Sequence, residues 1–157
     1  MFYIAQMNYA RLSHPIDSPA MVDFHEQLER INRLADESPG FVWRLKDESG
    51  NSTGYYAYGD RRNIVNMSVW ESVETLWDYT YQSAHIAVMR RRRDWFDHLT
   101  EPYLVLWWVP AGHRPDVPEA ITRLDYLRAN GPTPYAFTFK RRFTAEQSVR
   151  YIAEEGL

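Results

Sequence analysis

Asn63-Ile64-Val65-Asn66-Met67-Ser68-Val69-Trp70-Glu71-Ser72-Val73-Glu74-Thr75-Leu76 is the stretch whose reading decides the fold. Residues 63–70 alternate with the period of two expected of a half-buried strand. Asn66, Ser68 and Trp70 share one face of it. Glu71-Ser72 stops the strand and supplies a hydroxyl cap for a helix from Val73 to about Tyr81, which leads on to His85. Polar side chains on one strand face, an aromatic at the strand end and a histidine on the next helix can together line one pocket.

Upstream, Phe2 to Tyr9 has the same alternation, with Gln6 and Asn8 on one face. Ser18-Pro19 marks a helix start. Met21, Phe24, Leu28, Ile31 and Leu34 then recur at steps of three and four, the apolar stripe of an amphipathic helix. Ser38-Pro39-Gly40 ends it. Phe41 to Leu45 predicts a short strand. Residues 47–60, rich in Gly, Asn, Asp and Ser, predict a loop with strand character at 55–58. Downstream of Tyr81 the helical pattern continues to about Asp97 with a break near Gln82-Ser83, and Pro102 stops it. Tyr103 to Val109 is a strongly apolar strand.

This order, strand–helix–strand–strand–helix–strand over residues 1–110, predicts an α+β ferredoxin-like sandwich. Its first and third strands are central neighbours. If their polar faces coincide, Gln6, Asn8, Asn66 and Ser68 form a polar row in mid-sheet. Such a row is costly unless it meets water, a ligand or its own hydrogen bonds. Residues 111–157 carry a different composition and predict helices at 118–129 and 144–155, with an edge strand at 136–139. They form an extension that packs on the domain or on a partner subunit.

Composition narrows the chemistry. The chain has no cysteine, which excludes disulfides, thiolate catalysis and Cys-ligated metals. A net charge of −3 gives no global attraction to nucleic acid or anionic membrane. No apolar run approaches the roughly 20 residues of a membrane span, and the N-terminus lacks the pattern of a signal peptide. The expectation is a cytoplasmic protein with no nucleic-acid or membrane partner. P-loop, G-x-G-x-x-G, G-x-S-x-G and HExxH motifs are all missing.

Three constellations remain. Asn8, Trp70 and His85 read either as a pocket, with His85 as base or metal ligand, Asn8 as hydrogen-bond donor and Trp70 as wall, or as core packing around a satisfied histidine. Arg90-Arg91-Arg92-Arg93 point all round a helix, since successive residues turn by about 100°. They read as a solvated helix end, of which one or two reach a carboxylate or phosphate. Asp94 and His98, four residues apart, could share a metal, but further ligands are missing.

The phrases PGFVWRLKDESGN (39–51), NMSVWESVETL (66–76), HIAVMRRRRDWF (85–96) and EPYLVLWWVPAGHRP (101–115) resemble the domain-of-unknown-function 3291 family, within the dimeric α+β-barrel superfamily. The resemblance spans nearly the whole chain. It implies a homodimer in which two sheets meet. A more distant resemblance, carried by Val69-Trp70-Glu71-Ser72, is to antibiotic-biosynthesis-type and haem-degrading monooxygenases, and the helix leading to His85 is similar to that of spheroidene-type monooxygenases. This implies a small-molecule oxidoreductase of monooxygenase type with a pocket between the sheet and the second helix. With haem as cofactor, His85 would be the proximal ligand, Asn8 would donate to bound oxygen, Trp70 would press on the macrocycle and Arg92 would pair a propionate. Without a cofactor, His85 would be the base that activates a phenol-like substrate toward oxygen, and Asn8 would stabilise the anion. Gln6, Asn66 and Ser68 would line the pocket. Two further readings stand beside these: a non-enzymatic binding module for a hydrophobic or aromatic small molecule, and a structural dimer whose polar row is satisfied internally.

Overall fold

The computed structural model describes residues 1–157. Four antiparallel strands, β1 (Phe2–Arg11), β2 (Phe41–Arg44), β3 (Asn63–Trp70) and β4 (Leu104–Pro110), form one sheet in the order β2-β3-β1-β4. Helix α1 (Val22–Glu37) links β1 to β2, preceded by a single 3-10 turn at Pro19–Met21. Between β3 and β4 the chain forms α2 (Val73–Tyr81) and two short helices, α3 (His85–Met89) and α4 (Arg92–Trp95). This is the ferredoxin-like α+β sandwich. The long second helix read from the sequence is in fact three pieces, because the chain turns at Gln82–Ala84, so His85 begins α3 and does not lie on α2.

The register joins the two polar faces. Gln6 sits opposite Ser68 and Asn8 opposite Asn66, with Ile4 opposite Trp70. Leu104, Leu106 and Trp108 of β4 extend the same face, being the partners of Asn8, Gln6 and Ile4. This inner face is covered by α1 and α2, whose Ala35, Val73 and Leu76 pack with Ile4, Trp70 and Leu106.

Local signals set the strand-to-helix turn. Ser72 Oγ accepts the Thr75 amide at 3.1 Å and Thr75 Oγ1 accepts the Ser72 amide at 3.3 Å, a reciprocal cap. The Gly40 carbonyl accepts the Glu71 amide, which fastens the end of α1 to this turn. Gly40 has φ +81°, and a Cβ there would come within 2.5 Å of Thr75, so both its backbone and its surroundings require glycine. Ser72→Ala is expected to cost ~1 kcal/mol of stability, read as a shift of the urea midpoint. No shift would show that the cap is dispensable.

The outer sheet face carries Ala5, Met7, Tyr9, Val65, Met67, Val69, Val105, Trp107 and Val109, all buried. Helix α5 (Val117–Asn130) lies across it through Ala120, Leu124 and Leu127, and Ala57 of the loop between β2 and β3 fills one side. Polar contacts pin the helix. Trp107 Nε1 donates to Glu119 at 3.2 Å, and Arg128 donates to the hydroxyls of Tyr9 (2.9 Å) and Tyr58 (2.8 Å). The chain's own α5 lies on the outer face, the surface through which the expected pairing of two sheets would run. The segment read as an edge strand reaches the sheet through one bridge, Phe137 to Leu106, on the free side of β4. A last helix, α6 (Ala145–Glu155), closes the chain. No helix is long and apolar enough to cross a membrane.

Candidate functional site

Between the inner sheet face and the helices lies a cavity of about 230 Å³. Its floor is the polar row. Gln6 Nε2 donates to Asn66 Oδ1 and to Ser68 Oγ, both at 2.8 Å, and Asn8 Nδ2 donates to Gln6 Oε1 at 2.9 Å. The network satisfies Gln6 and leaves capacity at its solvent end. Asn66 Nδ2 and Asn8 Oδ1 have no protein partner, so one donor group and one acceptor remain for a guest. The walls are apolar: Phe24, Leu28 and Ile31 from α1, Leu76 and Tyr79 from α2, Val88 and Met89 from α3. Phe139, from the C-terminal extension, completes them.

His85 enters from the start of α3. Its Nδ1 lies 3.2 Å from the Thr80 carbonyl. A carbonyl only accepts, so Nδ1 carries the proton and Nε2 presents its lone pair. Nε2 has no protein partner, and since no fully buried side-chain nitrogen or oxygen lacks one, Nε2 is accessible. Burial holds the His85 pKa below its ordinary value, opposed by the Thr80 carbonyl and assisted by the charge of Arg92. A histidine depressed in this way is neutral in the folded chain where the unfolded chain has begun to protonate. Its stabilising contribution is therefore complete above about pH 6.5, the ordinary value, and is lost as pH falls toward the folded value. We expect stability to decline below about pH 6.5 and His85→Gln to flatten that decline. Urea titrations at several pH values check this, and an identical slope in the variant would refute it.

The structure brings Gln6, Asn8, Asn66, His85 and Arg92 to one cavity and leaves two sequence candidates outside its lining. Trp70 is fully buried in the core. Its indole stacks on Tyr79, ring centroids 4.9 Å apart at 24°, and its Nε1 donates to Ser68 Oγ at 2.8 Å. Ser68 is thereby consumed between Gln6 and Trp70. The expected Trp70 wall is corrected to Tyr79, which stands between Trp70 and His85, its ring 4.9 Å from the imidazole. Tyr79 was missed, although it lies three residues after Leu76 on the apolar face of α2 and could have been found by that spacing. Phe139 had no local signal. Asp94 pairs with Arg91 at 3.0 Å, and no group of three or more acidic or histidine side chains is placed to hold a metal ion.

Sheet order, inner-face cavity and helical cover define an α+β ferredoxin-like protein with a partly open cavity over mid-sheet. The chain belongs to the DUF3291 family, described as a domain of unknown function, whose model matches residues 3–153. No curated protein matches it. Among solved structures it is similar to SnoaB, a cofactor-independent oxygenase from Streptomyces nogalater, at 16% identity and TM-score 0.45, over 76% of this chain and 100% of that one. It is also similar to NE2512, a protein of unknown function from Nitrosomonas europaea, at 14% identity and TM-score 0.48, over 74% of this chain and 97% of that one. At such values these are likenesses of shape, and neither lends this chain an activity.

Proposed function

We propose that the chain is an oxidoreductase of monooxygenase type that needs no cofactor and oxidises an electron-rich phenol in the sheet–helix cavity, with neutral His85 as general base. The carrying observation is the His85 ring: Nδ1 held by the Thr80 carbonyl, Nε2 accessible and unpaired, beside a floor with spare amide groups. Nε2 accepts the phenolic proton. The phenolate, held by the Asn66 amide donor, is electron-rich enough to reduce dioxygen by one electron. The resulting radical pair combines to form a carbon–oxygen bond, and the peroxide anion takes back the proton held on His85. Cleavage of the O–O bond with loss of the hydrogen on the same ring carbon releases water and leaves a quinone. Phenol plus O2 gives quinone plus water, so the balance closes without a further reductant. The apolar walls keep bulk water from the anion and strengthen its interaction with the amide. The sequence reading gave the anion-stabilising role to Asn8. In the fold Asn8 Nδ2 is already committed to Gln6, and the free donor is Asn66.

Haem fits these residues poorly. About 230 Å³ lies below the roughly 300–1,000 Å³ of pockets that enclose drug-sized ligands, and haem belongs at the large end of that range. Trp70, which would press on the macrocycle, is sealed behind Tyr79.

Oxygen uptake measured with a panel of naphthols and hydroquinones tests the proposal. We expect turnover that drops by ~10²–10⁴-fold in His85→Ala, the range for loss of a general base, with phenol binding retained. Binding without oxygen uptake by the native chain would instead establish a non-enzymatic binding module.

A further inference from the structure

Residues 90–93 are four consecutive arginines in a chain whose net charge is −3, and the fold treats them unequally. Arg91 is paired, to Asp94 at 3.0 Å and Asp23 at 3.4 Å. Arg90, Arg92 and Arg93 form no salt bridge and their side chains donate no hydrogen bond to the protein. The neighbouring carboxylate that could have neutralised them, Asp97, is taken by Arg62 at 2.8 Å and approached by Arg11 at 3.8 Å.

Arg92 is the informative one. It is only partly exposed and lines the cavity that holds His85. Its guanidinium lies over the rings of Tyr103, at 4.9 Å from the centroid, and Phe96, at 6.0 Å. Those faces position the cation without using its N–H donors. A second cavity of about 220 Å³ adjoins the first and shares Met89, Arg92, Phe96 and Tyr103 with it. Arg90, Arg93 and His98 line this second space, with Asp97 as its single acid. An apolar chamber with a base thus continues, through Arg92, into a chamber with three uncompensated guanidinium groups.

We propose that the molecule bound here is amphipathic: an aromatic body in the first cavity and an anionic group, a carboxylate or its like, held by Arg92 at the junction with the second. The inference rests on reading the first cavity as a ligand site and adds the substrate class. A planar guanidinium with free donors matches a carboxylate in a two-pronged pair. Arg90 and Arg93 add a positive field that draws the anion to the mouth. Arg90 and Arg93 are exposed, as in the solvated helix end read from the sequence, whereas Arg91 reaches carboxylates and Arg92 turns to the cavity.

Fluorescence titration at neutral pH with 6-hydroxy-2-naphthoate and with 2-naphthol, which share a ring system and a phenol and differ in charge, tests this. The naphthoate should bind about 10–100-fold more tightly, as for one charged hydrogen-bonded contact, and the advantage should shrink as salt is added. Arg92→Gln should bring the affinity ratio of the two compounds to about one, with a native circular dichroism spectrum and urea midpoint reporting that the variant is folded. Arg92→Lys should retain part of the advantage, and Arg91→Gln all of it. Equal affinities in the native chain, or an advantage that survives Arg92→Gln, would overturn the proposal. If 2-naphthol is bound and oxidised with no preference for the naphthoate, the proposed activity stands and the anionic class falls. If neither compound binds, the cavity is not a site for aromatic phenols and both readings fall.

Discussion

Trp70→Ala should lower the stability of the chain by ~3–5 kcal/mol, the cost of removing a large aromatic from a filled core. Trp70 has no exposed surface. Phe41 meets it edge-on, ring centroids 5.5 Å apart at 80°, and Tyr79 stacks on its other side. Truncation removes the transfer free energy of the indole and leaves a void where neither ring can follow, because Phe41 is tied to β2 and Tyr79 to α2. It also withdraws one of two donors from the buried Ser68 hydroxyl. Two-state urea unfolding measures the loss. Trp70→Phe separates packing from catalysis, since it keeps most of the volume and position 70 does not itself line the cavity. Its stability should fall by less than half as much, and phenol binding should stay within a few-fold of native. A Trp70→Phe chain that is stable but has lost binding would return Trp70 to the site and refute the placement behind Tyr79.

Leu124→Asp should be at least as damaging, with a cost above ~4 kcal/mol, because it buries an unpaired carboxylate. Leu124 is fully buried in the cluster that joins α5 to the outer sheet face, whose buried members are all hydrophobic. The cheapest relief is for α5 to leave the sheet. That would uncover a contiguous apolar surface of the kind that proteins reserve for partners or that aggregates. The expected signature is a rise in apparent mass by light scattering together with a lowered urea midpoint. A variant with unchanged mass and stability would mean that α5 does not cover the sheet in solution. The outer face would then be free to meet a second sheet, as the family resemblance first implied.

How much of this was legible beforehand differs from element to element, for physical reasons. β3 and the start of α2 were readable because every cue is local: polar and apolar residues alternating from 65 to 69, then a serine whose hydroxyl finds an amide three residues on. The polar row was half-readable. Parity placed Gln6 with Asn8 and Asn66 with Ser68, but only the register put Asn8 opposite Asn66 and Gln6 opposite Ser68. The break after Tyr81 was visible as Gln82-Ser83, but not its consequence, that His85 starts a new short helix with Nδ1 on a carbonyl left free at the end of the old one. Tyr79 in place of Trp70 at the cavity wall turns on the stacking of two rings nine residues apart. Phe139 reaches the cavity from more than fifty residues beyond His85.

The sequence by itself determined the order of strands and helices, the absence of thiol chemistry and the residue types available to a site, because periodicity, caps and composition are properties of neighbouring residues. Tertiary structure alone decided which face α5 covers, which of four adjacent arginines keeps its donors free, and that Trp70 stays in the core while Tyr79 meets the cavity. Those outcomes depend on which distant groups compete for the same partner. Asp94 and Asp23 capture Arg91, Arg62 captures Asp97, and Ser68 captures the Trp70 indole, and no local pattern records who wins.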